Sequence, residues 1–341
     1  MSARFLLSRK KAIEQYNIMK DLSDVVSYSV KTNKNIAPIL EEQTDAMFSL
    51  HFSESIDTIK DKKRVWFLPQ SWTENEIVSL LEKGITSFIV DNERDLNALL
   101  QALEKKEKKI NLLLRMRLKE RTIHTGKHFV FGMYSDQVNK LIPALRANKS
   151  IDKLGIHFHR KTQNISEWLL KEELEDILNK ETLDSIDILD IGGGFPVRYK
   201  NHNVEVLPHI FENVKALKGW LNDNGIKMIV EPGRFIAGPA VSLEAKIINI
   251  YNNNIVVDCS VYNSAMDTFA AHTRLMIDGE LETGENYVIK GCTPCSLDVF
   301  RYRVFLASPK IGDKLVFLNA GAYNYSTNFC DLGQIETVVV E

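Results

Sequence analysis

Hydrophobic and polar positions follow one another along the chain in two distinct textures. Up to about residue 237, short apolar runs recur at residues 25–31, 45–48, 64–68, 85–90, 111–117, 153–159, 186–191 and 226–231, and each predicts a strand. Between them, apolar residues return at helical spacing over 36–43, 54–60, 73–83, 92–106, 135–147, 166–179 and 207–224, which predicts amphipathic helices. Thr73 ahead of Glu74 and Glu76, and Asn92 ahead of Glu93, supply the polar cap and acidic first turn of helix starts. Strands alternating with helices predict a parallel sheet covered on its outer face. Eight such units close as a (β/α)8 barrel, with an open doubly wound sheet as the other arrangement.

After Gly238 the helical spacing fades. Strand-like runs follow at 241–251, 255–259, 287–290, 299–306, 314–318 and 334–340, separated by turn residues such as Asp278-Gly279 and Gly312-Asp313. The fold class predicted is therefore α/β, a TIM-like barrel followed by a mostly β C-terminal domain. The expected division is a short segment 1–24 leading into the barrel, the barrel over 25–237, and the β domain over 238–341. The Lys-rich run 104–109 reads as a solvated helix end.

Composition narrows the partners more than the fold. Hydrophobic residues at 44% and charged residues at 26% exclude wholesale disorder. A net charge of −2 argues against nucleic acid or a membrane surface as the main partner, while a local site for a small anion stays open. Four cysteines (Cys259, Cys292, Cys295, Cys330) in 341 residues make no disulfide scaffold. The run Phe5-Leu6-Leu7 is too short for a signal-peptide core, so a cytoplasmic chain with reduced thiols is expected.

In a barrel enzyme, reactive groups belong at the carboxyl ends of the strands. Lys31 ends the first predicted strand, His159 the sixth and Glu231 the eighth; Gly192-Gly193-Gly194 follows the seventh, and Arg234 lies just past Glu231. Each has an ordinary reading and a chemical one. Lys31 is a solvated charge, or an amine desolvated toward attack on an aldehyde. His157 and His159 share a strand face as structural histidines or site residues. With no third ligand in view, no metal is expected. The glycines make a tight turn or an anion cradle, and lack the third glycine of a dinucleotide-binding fingerprint. Glu231 and Arg234 form a surface ion pair, or hold a protonated ring nitrogen and a phosphate. Cys292 and Cys295 have no second pair for zinc and no βαβ setting for redox work, which leaves a thiol acting in proton transfer.

Together, Tyr28-Ser-Val-Lys31-Thr-Asn33, Gly155-Ile-His-Phe-His159, Asp190-Ile-Gly-Gly-Gly-Phe-Pro196, Glu231-Pro-Gly-Arg234 and Gly321-Ala-Tyr323 resemble the fold-type III pyridoxal-phosphate decarboxylases. These act on ornithine, lysine, diaminopimelate or arginine, and share their barrel with alanine racemase. The resemblance runs from Phe5 to Phe329. It implies pyridoxal 5'-phosphate as cofactor, with Lys31 as Schiff-base lysine, His159 stacked on the ring and Glu231 on the pyridine nitrogen. Gly192, Gly193, Gly194, Gly233, Arg234 and Tyr323 are implied around the phosphate, Thr162 at a phosphate-binding serine's position, and Arg115 near the cofactor.

The segment Gly291–Asp298 resembles the family's cysteine loop, which reaches into a neighbouring subunit's site. An obligate homodimer with two shared active sites is thus implied, with the partner's Cys295 as proton donor and Cys292 its rival. Asp298 and Asp267 are candidates to receive a distal amine or guanidinium. Arg274, with Arg160, Lys161 and Arg301, is a candidate for a second carboxylate. The implied reaction is decarboxylation of an amino acid of the diamino or carboxylated polyamine type. A pyridoxal-phosphate racemase or a non-decarboxylating homologue is the alternative. The chain departs from the family at Arg160-Lys161-Thr162, where a glycine-serine step is usual, and at Phe48-Ser-Leu-His51, which lacks the usual acidic residue. Relatives carry a longer extension before the lysine strand, so the β domain is expected to be trimmed.

Overall fold

A computed structural model describes residues 2–106, 108–118, 131–325 and 329–341. It separates into two compact units, Tyr16–Phe195 with Val206–Gly233, and Met1–Gln15 with Pro196–Glu205 and Arg234–Glu341. Residues 1–24, expected only as a lead-in, contain strand β1 (Arg4–Ser8) and a helix Arg9–Leu22. The strand announces itself by period-two burial: Phe5 and Leu7 are buried, and their neighbours are not.

The first unit is a closed parallel barrel of eight strands. They are β2 (Val25–Ser29), β3 (Met47–Leu50), β4 (Val65–Phe67), β5 (Ser87–Val90), β6 (Ile110–Arg115), β7 (Ile151–His157), β8 (Ile188–Asp190) and β9 (Lys227–Val230). Closure is made where Val25 and Val26 of β2 pair with Ile229 and Val230 of β9. All eight predicted strands are present, and the doubly wound alternative falls away because the last strand bonds to the first.

Inside the barrel, Trp66, Leu68, Ile89, Leu113 and Ile229 form an apolar cluster, with Val25, Met47 and Ile188 packed against it. Strand side chains repeat every second residue on one face, so each of several plug residues is followed, two positions on, by a polar one. Val25 leads to Ser27, Met47 to Ser49, Ile89 to Asp91, Leu113 to Arg115, Ile188 to Asp190 and Ile229 to Glu231. A greasy floor with a polar layer above it follows from the pleat alone.

The second unit is built on an eight-stranded sheet. Its strands are β1, β10 (Val241–Tyr251), β11 (Asn254–Val257), β12 (Met276–Ile277), β13 (Leu281–Lys290), β14 (Val299–Phe305), β15 (Lys314–Leu318) and β16 (Glu336–Val340). The order is β12-β15-β10-β11-β13-β14, and β1 pairs antiparallel with β10 and parallel with β16. Among the described residues, no helix is long and apolar enough to cross a membrane.

The barrel wall leaves no room at Gly155 on β7: a Cβ there would lie 2.0 Å from the Ile188 carbonyl oxygen of β8. Gly155→Ala is expected to lower the urea midpoint by an amount worth about 1–3 kcal/mol, the usual cost of overpacking. An unchanged midpoint would show that the two strands do not approach so closely.

Candidate active site

At the carboxyl ends of the barrel strands lies a cavity of about 380 Å³, lined by Lys31, His51, Arg115, His157, His159 and Glu231 among others. Lys31 does not extend β2, as the apolar run suggested. It sits in a 3-10 turn, Val30–Thr32, that follows the strand. The Tyr28 hydroxyl donates to the Asn33 carbonyl at 2.8 Å and pins this turn, and the Asn33 side chain accepts from Asn35 N–H to start the next. Lys31 thereby lines the cavity and remains exposed to solvent.

Glu231 is buried, and a carboxylate there must be hydrogen-bonded to persist. It accepts from the Ser49 hydroxyl and from His157 Nε2 at 3.1 Å, and Ser49 is itself linked to the Ser27 hydroxyl at 2.7 Å. Burial alone would raise the Glu231 carboxyl, but His157 and the Ser49 hydroxyl bonded to it hold it below the ordinary range, so it stays an anion. Burial lowers the His157 pKa, and a neutral ring donating its Nε2–H satisfies the pair. Asp190 goes the other way. Burial and the neighbouring Glu231 charge raise it well above a normal carboxyl, so it keeps its proton while accepting from Gly192 N–H at 2.8 Å.

No third partner for a cation at His157 was visible in the sequence. The structure brings ligand atoms of His157, Asp190 and Glu231 within 4.8 Å of one another. As built, His157 spends Nε2 on Glu231 and Asp190 retains a proton, so the cluster is a hydrogen-bond network centred on one carboxylate.

Around Lys31 the field is mixed. His51 Nε2 lies 3.2 Å from Lys31 Nζ, and Arg115 is held by Asp91 at 3.0 Å. Burial lowers the Lys31 pKa; Glu231 opposes this and Arg115 adds to it. An amine that sheds its proton more readily is a better nucleophile. His51 and His159 are both driven down to about 3, chiefly by burial, and both rings are neutral.

The glycine turn requires its glycines. A Cβ on Gly192, at φ +66°, would meet the Phe158 carbonyl oxygen at 2.6 Å, and one on Gly194, at φ +99°, the Lys161 carbonyl at 2.8 Å. Gly193 N–H donates to His159 Nδ1 at 3.1 Å, which fixes the ring edge-on to the turn. Gly233 faces Thr32 so closely that a Cβ would lie 2.1 Å from its hydroxyl. Of the two extra charges after His159, Arg160 is buried and neutralised by Glu167 at 3.3 Å and by Glu173. Lys161 is exposed and lines the cavity, and Thr162 follows it on the surface.

The remaining candidates lie in the second unit. Arg234 forms a two-pronged pair with Asp267, at 3.0 Å for Nη2, and bonds the Tyr199 hydroxyl at 2.9 Å. Its guanidinium carbon stands 5.3 Å from the centre of the Tyr323 ring. Thr273 also donates to Asp267, at 3.0 Å. Asp298 accepts from Val261 N–H at 2.8 Å and from the backbone and hydroxyl of Thr293. Asp267 and Asp298, expected to receive a distal amine, are thus buried and already committed within their own unit. Arg274 is half-buried, and its backbone N–H is tied to Asn201 at 2.8 Å. Cys295 lies 2.8 Å from the Tyr262 hydroxyl, which lowers its thiol pKa, whereas burial raises that of Cys292. The Cys330 side chain lies outside the described residues.

A parallel barrel presenting a lysine amine, a buried anion and a glycine turn at one mouth has the groups to receive an aldehyde cofactor. The sequence profile for "Pyridoxal-dependent decarboxylase, pyridoxal binding domain" matches residues 13–238, and the chain belongs to that family. Its cofactor is pyridoxal phosphate. The chain is 28% identical to a diaminopimelate decarboxylase of Halalkalibacterium halodurans, over 52% of this chain and 45% of that protein. It is 25% identical to the Bacillus subtilis diaminopimelate decarboxylase over 93% of this chain and 80% of that one. The lysine/ornithine decarboxylase of Vibrio vulnificus, solved with putrescine, superposes with a TM-score of 0.80 at 21% identity, covering 99% of this chain and 94% of that one.

The cavity fits the group. It offers an amine for the aldehyde and an anion for a ring nitrogen. His51 Nδ1 is buried there with no partner among the described residues. Ser49, His51, Asp91 and Asp190 were given no role in the sequence reading: Asp190 only opened the glycine motif, Ser49 and His51 lay in the run noted for lacking an acidic residue, and Asp91 belonged to no motif. Strand alternation from the apolar floor is the signal that would have found three of them, and His51 lies two residues past Ser49.

The neutral His159 ring has a consequence for stability. Its pKa falls from 6.5 to about 3 on folding, so the unfolded chain takes up a proton first as pH drops. The stability this group contributes is whole above pH 6.5 and is lost on the way down toward pH 3. His159→Asn is expected to lose less of its urea midpoint between about pH 7 and pH 5 than the native chain does. An equally steep decline would show that the ring already titrates normally.

Proposed function

We propose that this chain is a pyridoxal-phosphate-dependent amino-acid decarboxylase in which Lys31 bonds the cofactor's aldehyde carbon. The observation that carries the reading is a buried carboxylate, Glu231, held anionic in the same cavity as an amine of lowered basicity. The cofactor supplies an electron sink for the pair left on Cα when the substrate carboxylate departs. Glu231 keeps the ring nitrogen protonated, which makes that sink deep, and Ser49 and His157 hold Glu231 in place. His159 offers a neutral ring face, fixed by Gly193. Gly192, Gly193 and Gly194 admit a phosphate close to the backbone, with Thr162 beside them. Lys31 would hold the cofactor's aldehyde carbon between turnovers. The anionic Glu231 disfavours the racemase reading, in which an arginine usually faces the ring nitrogen.

The substrate belongs to the diamino or carboxylated polyamine class; the relatives named above are decarboxylases of diaminopimelate, lysine and ornithine. The barrel over 25–237 is read as the cofactor-binding domain and 238–341 as the β domain. A homodimer sharing its active sites is part of the same proposal, with the partner's Cys295 as proton donor, in keeping with a thiol whose proton is loosened by Tyr262. A cytoplasmic setting goes with it.

Carbon dioxide release from ornithine, lysine, arginine, diaminopimelate and carboxylated polyamines tests the reaction. One member of the panel is expected to yield carbon dioxide, and Lys31→Ala to yield none. Racemisation without carbon dioxide would overturn the reading. Sharing of sites is tested by mixing two inactive variants, Lys31→Ala and Cys295→Ser. Recovered activity is expected, since each mixed dimer then holds one intact site.

A further inference from the structure

His51 is a residue that neither the motifs nor the reaction scheme absorbs. It follows β3, where the resembling enzymes carry an acidic group near the cofactor, and here Ser49 takes up Glu231 while His51 turns to Lys31. Its Nε2 stands 3.2 Å from Lys31 Nζ, and its Nδ1 is buried without a partner among the described residues. The groups facing this pair are Glu231, His157, His159 and Arg115. An ammonium only donates, so with Lys31 charged the contact is Nζ–H donating to an imidazole lone pair.

We propose that His51 is a positioning residue for Lys31: its neutral imidazole holds the amine in the cavity without trapping its proton, as a carboxylate at the same distance would. This inference rests on Lys31 being the cofactor lysine. The argument is one of charge. An opposite charge within hydrogen-bond reach raises an amine's pKa by about one to three units, and would leave less of Lys31 unprotonated at a given pH than a neutral neighbour does. A neutral acceptor fixes the side-chain rotamer equally well and leaves desolvation to set the basicity. The cost is one unsatisfied ring nitrogen, the kind of local defect that persists at sites with a task. His51 itself is a poor base, because burial and the Lys31 charge drive its own pKa down to about 3. Its role is therefore orientation, with proton transfer left to other groups.

The test is the rate at which protein stripped of cofactor takes up pyridoxal phosphate, measured against pH. The bond is fixed with borohydride and read by mass on the Lys31 peptide. His51→Asp is expected to move the midpoint of this profile upward by about one unit or more, a tenfold or greater loss of rate at neutral pH. His51→Asn, neutral and able to accept, is expected to keep the native midpoint. His51→Ala is expected to keep the midpoint too, but with slower uptake because the amine is no longer oriented. An unmoved midpoint in His51→Asp, or native uptake rates in His51→Ala, would overturn the inference. Should the Asp variant not fold, as judged by circular dichroism, the comparison of Ala with Asn still decides it. A mass label that persists in Lys31→Ala would instead defeat the reading of Lys31 itself, leaving the two failures distinct.

Discussion

The carboxylate of Glu231 lies inside the barrel, where water cannot solvate it, and the layer around it is arranged to meet that demand. Ser49 and His157 donate to its two oxygens. Ser27 backs Ser49, and the Glu231 backbone is tied to the glycine turn through Gly192 at 2.8 Å. Removing one donor would strand a buried charge, which costs far more than one hydrogen bond contributes. Asp190, within the same layer, avoids the same penalty by staying protonated. Two neighbouring carboxyls thus take opposite states, which is how environments divide acid from base in one cavity.

This polar layer stands because of what lies beneath it. The apolar floor at Ile89, Leu113 and Ile229 is buried and closes the barrel to water from below. Each such side chain contributes roughly 1.5–3 kcal/mol by burial. The same strand pleat that sends these residues inward sends Asp91, Arg115 and Glu231 inward two steps later. Stability and chemistry are therefore consecutive layers of one construction, and the rim residues ride on strands held by the floor.

Much of this was legible from residue patterns, and the misses have physical causes. The eight barrel strands were visible because strands buried on both faces make dense apolar runs. Lys31 was assigned to a strand and lies in a turn, since nothing in Tyr-Ser-Val-Lys reveals that the Tyr28 hydroxyl will reach Asn33. Lys31, His159, Gly192 and Glu231 were found by motif and do converge at one mouth of the barrel. Arg234 was also found by motif, but its bidentate engagement by Asp267 was not foreseen. The commitments of Asp267 and Asp298 were hidden because their partners are distant in sequence or are backbone groups. Strand β1 was overlooked because a single five-residue strand carries too few alternations to separate from a polar lead-in.

That first strand has a meaning beyond the sheet it completes. Arg4 stands opposite Glu244 on one side and Glu336 on the other, so β1 is flanked by two strands far from it in sequence. During synthesis β1 emerges with both edges bare and has no partner until β10 appears, and no second until β16 does. Pairings so remote in sequence are slow to form and leave an edge open to foreign strands meanwhile. Arg4, the one charged residue of β1, pairs with Glu244 at 2.7 Å and marks the correct mate by charge. Completion of the β unit therefore waits on β16, whereas the barrel's strands lie wholly upstream of β16 and need no part of it to pair.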